Sequence, residues 1–254
     1  MILIVRGRKW RFAGTTAFLI MLFVFAFFFK TPQVLLTTSS DKLRPIYAVG
    51  TERKEIAISF DACWGAAYTD DILTKLSEHD VKTTFFLVNI WLEDYPDVAK
   101  RIAEAGHEIG LHSTSHPHFT SLSEEQIKQE LLENHQMISE LTGYTPKVFR
   151  PPFGDYDNKV INTSRALGYH VIQWDVDSLD WKDLSAREIY NRVIKQVKPG
   201  SIVLFHNNGK HTAEALDPIL DTLQAQGYDI IPISKLLLPG DYYVDHQGIQ
   251  RTQS

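Results

Sequence analysis

The sequence holds a single cysteine, Cys63, among 254 residues. One thiol rules out any intrachain disulfide and any cysteine-rich zinc motif. It leaves the compartment undecided. Heptads, internal repeats and low-complexity tracts are also missing, which removes coiled coils, solenoids and arrays. Cations are scarce beyond the N-terminus. Residues 1–30 carry five of the 26 Lys/Arg (Arg6, Arg8, Lys9, Arg11, Lys30) and no acid, leaving 21 against all 31 Asp/Glu, a net of −10. So acidic a body excludes a nucleic-acid binder, which needs a basic surface.

Hydrophobic residues make up 44% and charged residues 22%, enough apolar mass for a sizeable core. The 18 residues from Phe12 to Phe29 are uncharged and follow four cations. A run of that length is long enough to span a bilayer, and a basic flank stays in the cytoplasm. Its end, Phe27-Phe28-Phe29-Lys30, offers no small-x-small site for a signal peptidase. The expectation is an uncleaved signal anchor at 12–29, with residues 1–11 cytoplasmic. A Thr/Ser-rich linker at 30–50, a catalytic-sized domain at 51–235 and a tail at 236–254 complete the division. The protein is then single-pass at the cell membrane with its domain extracytoplasmic.

From Glu55 onward, short β-type runs alternate with helical patterns. Strands are expected at 56–60, 83–88, 107–112, 147–150, 169–175, 201–206 and 228–231. Helices are expected between them. One is capped by Thr69, one spans 97–105 before Gly106, and one spans 158–167 before Gly168. Another covers 213–226. Two start on the capping-box pattern, Ser123 with Gln126 and Ser185 with Glu188. Strict alternation implies a parallel sheet. About seven units in this length predict an α/β fold, a distorted (β/α) barrel of about seven parallel strands.

Several strands end on an ionisable residue: Asp61, His112, Arg150, Asp175 and His206. A parallel barrel gathers such ends at one pole. Each residue alone has an ordinary explanation; the set is harder to dismiss. His112 and His116, four apart, lie on one face of a helix or a tight loop and can share a metal. Arg150 precedes Pro151-Pro152-Phe153-Gly154, a rigid turn beside a guanidinium suited to gripping a carboxylate. Asp175, Asp177 and Asp180 stand between Trp174 and Trp181. His206 ends an apolar strand and is an acid–base candidate.

In this order the blocks Ser59–Ala62, His112–His116, Arg150–Gly154, Asp177–Trp181 and Leu204–His206 resemble the NodB-homology polysaccharide deacetylases, carbohydrate esterase family 4. The anchor and the Phe60–Gly65 block are most similar to its sporulation-associated PdaB branch. The resemblance implies hydrolysis of N-acetyl groups on cell-wall amino sugars, with a divalent metal, commonly zinc. It implies His112 and His116 as metal ligands, Asp61 as general base and His206 as general acid. It also implies that Asp180 orients His206 and that Arg150 holds Asp61. It further implies that the backbone N–H near Phe153 serves the oxyanion and that Leu204 and Trp181 line the pocket for the acetyl methyl. The implied partners are a cell-wall glycan and, through the N-terminal helix, the membrane.

One position departs from the pattern. The family's first block reads Asp-Asp, the second Asp binding metal; here that residue is Ala62. Cys63, one further along, is not expected to replace it in a strand-end geometry. Four readings stay open: a two-His site, recruitment of Asp175 or Asp177, metal-independent hydrolysis by Asp61 and His206, or a silent glycan-binding wall protein.

Overall fold

The computed structural model describes residues 42–253. The expected anchor at 12–29 lies outside the described residues. Among the described residues no helix is long and apolar enough to cross a membrane.

The strands are β1 (Ala48–Val49), β2 (Glu55–Ala62), β3 (Thr84–Leu87), β4 (Glu108–Leu111), β5 (Val148–Phe149), β6 (His170–Val171), β7 (Val176–Asp177), β8 (Ile202–His206), β9 (Asp229–Ile230), β10 (Tyr242–Val244) and β11 (Ile249–Thr252). The helices are α1 (Thr69–Glu78), α2 (Asn89–Asp94), α3 (Pro96–Glu104), α4 (Glu124–Thr142), α5 (Asn158–Ala166), α6 (Ala186–Gln196), α7 (Thr212–Ala225) and α8 (Ile233–Leu236). The main sheet runs β6-β5-β4-β3-β2-β8-β7, with β9 beside β2. All its pairings are parallel. This is the curled, barrel-like α/β architecture expected.

β2 is the central strand, and all but its first residue are buried. Strands covered on both sides read as unbroken apolar runs. Phe60 stacks on Phe85 of β3 at 4.8 Å and on Phe205 of β8 at 5.7 Å. Each such ring contributes roughly 1.5–3 kcal/mol by burial. Both capping boxes form as their sequences require, and α4 stops on Gly143 in the left-handed conformation.

Three expectations change. Thr69 does not cap α1; it is the first helical residue, and its hydroxyl accepts from Asn207 Nδ2 at 3.0 Å. The expected strand 169–175 holds only β6, and the chain takes up a second short strand, β7, just beyond it at Val176. β6 pairs with β5 and β7 with β8, so one piece of chain supplies both edges of the curled sheet. The break has a cause in Asp175. Its carboxylate accepts from Ile202 N at 2.9 Å and Ser201 Oγ at 3.0 Å, taking the place of ladder bonds at the start of β8. Finally, residues assigned to the linker and the tail are structured. Ile46 bridges Ile172, Ala48 bridges Ser201, and β1 pairs with β11. These contacts tie the two ends of the domain to each other and to the main sheet.

Candidate active site

Parallel strands bring their C-terminal ends to one pole. β2 and β8 are in register there, with Asp61 directly opposite His206. A cleft of about 610 Å³ opens at this pole.

Arg150 lies beneath the cleft, fully buried. Its Nη1 donates to Asp61 Oδ1 at 2.7 Å and its Nη2 to Ser59 Oγ at 2.8 Å. The guanidinium packs over the Phe86 ring at 4.2 Å. Burial alone would raise the Asp61 pKa, but the Arg150 charge and hydrogen bond outweigh it. His112 and His206 add to that effect, and the carboxyl sits below its usual range. Asp61 is therefore an anion at neutral pH, with its second oxygen toward the cleft, 3.7 Å from His112 Nε2.

His112 caps the end of β4. Its Nδ1 lies 2.8 Å from the Arg150 carbonyl. A carbonyl only accepts, so Nδ1 carries the hydrogen and Nε2 presents a lone pair. The segment to His116 is a tight loop, with Ser113 and His116 both at positive φ (82° and 56°). Asn134 accepts from the His112 and Ser113 N–H groups, and Glu130 from those of Thr114 and Ser115. The two imidazole rings meet edge to face at 5.1 Å. Burial lowers both pKa values, that of His116 to about 4 with help from the His112 charge. Two neutral imidazoles, one held by an outer hydrogen bond, suit a divalent metal.

The opposite wall holds His206. Its Nδ1 lies 2.8 Å from Asp180 Oδ1. Asp180 Oδ2 accepts from the His206 N–H and the Thr212 hydroxyl, both at 2.7 Å. No side chain fits at Gly209. A Cβ there would sit 2.2 Å from Thr212 Oγ1 and 2.9 Å from Asp180 Oδ2. Burial disfavours the imidazolium. The Asp180 hydrogen bond and charge, with Asp61 and Asp177, overcome that and raise the His206 pKa.

Around the mouth, Trp64, Phe153 and Trp181 are more than half exposed. Leu204 lines the floor. Phe153 is held at φ 58°, ψ 8°, a strained backbone for a residue with a side chain. Its ring packs on His116 at 4.5 Å and His118 at 4.4 Å.

The profile of the polysaccharide deacetylase family matches residues 48–172. A peptidoglycan-N-acetylglucosamine deacetylase of Bacillus cereus is 35% identical over 188 residues, 72% of this chain and 68% of the relative. The chain belongs to the polysaccharide deacetylase family, carbohydrate esterase family 4. The peptidoglycan-N-acetylmuramic acid deacetylase PdaA of Bacillus subtilis is 34% identical over 201 residues, 78% of this chain and 76% of the relative. The structure of a carbohydrate esterase family 4 pseudoenzyme from Bacillus anthracis superposes with a TM-score of 0.73 at 35% identity. It covers 76% of this chain and 68% of the other. A mutant of that pseudoenzyme, 36% identical to this chain, has restored enzymatic activity.

Against that family pattern, the structure brings Asp61, His112, His116, Phe153, Asp180, Trp181, Leu204 and His206 to one cleft, with Arg150 under it. Asp175 is elsewhere. It binds the first residue of β8, roughly 13 Å along the strand from His206 at about 3.3 Å per residue. Asp177 reaches the cleft, and its Oδ1 accepts from Leu179 N at 2.9 Å. Cys63, not expected to take the place of the absent carboxylate, does line the cleft. Its Sγ and one nitrogen each of His112 and His116 all lie within 4.8 Å of one another. The signal available in the sequence was its place as the first residue after the strand that carries Asp61. Nothing in the sequence pointed to Asn207, whose Nδ2 donates to the Gly65 carbonyl at 2.9 Å and to Thr69.

The raised His206 pKa stabilises the fold fully below about pH 6.5 and is lost as pH climbs through the folded value. The lowered Asp61 pKa contributes above about pH 3.9 and is lost on acidification through its folded value. Replacing Asp180 by Asn removes the charge that raises His206. An NMR titration of the His206 ring is expected to show a lower midpoint in Asp180→Asn. An unmoved midpoint contradicts the assignment.

Proposed function

We propose that this chain is a membrane-tethered hydrolase that removes N-acetyl groups from the amino sugars of peptidoglycan. The observation that carries the reading is the opposition of Asp61 and His206 at neighbouring strand ends. Each is backed by the partner that sets its protonation, Arg150 for the base and Asp180 for the acid. A binding module has no use for a matched base and acid. The likeness to the Bacillus cereus and Bacillus subtilis peptidoglycan deacetylases supports the substrate class.

The acetamide enters with its methyl against Leu204 and Trp181 and its carbonyl toward the Phe153 N–H. Asp61, already ionised, takes a proton from the attacking water. The C–N bond of the resulting adduct breaks as His206 gives its Nε2 proton to the departing amine. Acetate and a free amino sugar result. Asp180 keeps the His206 ring oriented and favours its protonated form. A divalent cation, zinc by family resemblance, would be held by His112 and His116. When bound, it supplies Lewis-acid polarisation of the carbonyl and a more acidic water.

Asp61→Asn and His206→Ala are each expected to cut acetate release from peptidoglycan by about 10²–10⁴-fold, with unchanged circular dichroism. Full activity in either variant refutes the roles. One observation favours a second reading, a silent glycan-binding wall domain: Ala62 breaks the family's metal block, and a pseudoenzyme superposes well. Peptidoglycan binding that survives Asp61→Asn, with no acetate from either protein, would establish that alternative.

The basic flank and the uncharged run at 12–29 support a tether with the domain outside the membrane. Likeness to the PdaB branch supports a place in sporulation. Full-length protein is expected to sediment with membranes and to be digested by external protease. A trimmed form in the medium would overturn the tether.

A further inference from the structure

Ala62 offers no donor, and its methyl is fully buried in the hydrophobic core. Cys63, the next residue, stands just past the end of β2 and, unlike Ala62, lines the cleft. The segment that follows is fixed from two directions. The Gly65 carbonyl accepts from Trp91 Nε1 at 2.7 Å and from Asn207 Nδ2 at 2.9 Å. Cys63 is 8% exposed, so its thiol stays inside the cleft wall. There Sγ and the two imidazole nitrogens form a group with all separations within 4.8 Å. Asp61 has another commitment, since Arg150 holds one of its oxygens at 2.7 Å.

We infer that the Cys63 thiolate is the third protein ligand of the cation at His112 and His116, giving a Cys-His-His set. The inference rests on the metal-dependent reading above. Tetrahedral zinc takes Zn–S near 2.3 Å and Zn–N near 2.0–2.1 Å. Three donor atoms all within 4.8 Å of one another are close enough to share one such ion. The arrangement leaves a fourth position open to the cleft, as catalytic zinc requires. Binding replaces the S–H bond with a metal–sulfur bond and releases that proton to solvent. The thiolate supplies the same single negative charge as the carboxylate missing at position 62. It also changes selectivity. A soft sulfur favours zinc and cobalt over magnesium, calcium and manganese.

The test uses the full-length protein in detergent, titrated with cobalt(II) and then with zinc against a chromophoric chelator. The intact chain is expected to bind one cobalt with a thiolate-to-cobalt charge-transfer band in the near ultraviolet. Cys63→Ser should lose the band and weaken zinc binding by more than the about 10–100-fold typical of losing an outer-sphere partner. The double variant Ala62→Asp/Cys63→Ala moves the donor back one position. It should recover affinity without the band, which controls for damage to the fold. Cobalt bound through His112 with no band, or unchanged zinc affinity in Cys63→Ser, overturns the inference and leaves metal-dependent hydrolysis standing. If the intact chain binds neither ion yet still releases acetate, both the third ligand and the metal-dependent reading fall.

Discussion

A guanidinium buried as completely as that of Arg150 has to meet an anion, because an unpaired charge in the interior costs several kcal/mol. Much of the site follows from that requirement. Asp61 is the anion, so it is ionised before any substrate arrives. The same Arg150 uses its backbone carbonyl to orient His112 and its second nitrogen to reach Ser59, which in turn donates to Val203 on β8. One residue thus couples β5, β4, β2 and β8 at the pole where the chemistry is assembled. The parallel sheet makes this possible by ending all four strands on one side.

Across the cleft the logic is mirrored in sign. Asp180 is buried too, but its charge is met by donors: the His206 ring and N–H, and the Thr212 hydroxyl. The cluster fits only because Gly209 has no side chain. One wall is therefore tuned toward a carboxylate anion and the other toward an imidazolium. Groups pushed apart in this way are what acid–base division of labour needs at neutral pH.

Much of this was legible in the sequence, and the reasons differ by residue. Ser123 and Ser185 announce their helices because a capping box is local and needs no tertiary partner. The ionisable strand ends were readable because parallel topology converts order along the chain into proximity. Thr69 misled because Asn207, well over a hundred residues away, claims its hydroxyl. The strand at 169–175 misled because Asp175 reads as a strand-end acid, yet its carboxylate mimics a backbone partner at the other end of β8. Cys63 was not legible as a cleft residue because its placement depends on the turn after β2, which Trp91 and Asn207 fix from distant parts of the chain. Residues 46–49 and 242–252 look like linker and tail because their partners are each other and the sheet's edge.

The division of roles between Asp61 and His206 is tested most directly by the pH dependence of acetate release from N-acetylated peptidoglycan. The structure predicts a bell, falling on the acid side as Asp61 protonates and on the alkaline side as His206 loses its proton. In Asp180→Asn the alkaline limb should move to lower pH while the acid limb stays. A profile with no alkaline limb, or a limb that ignores Asp180, would contradict His206 as the acid.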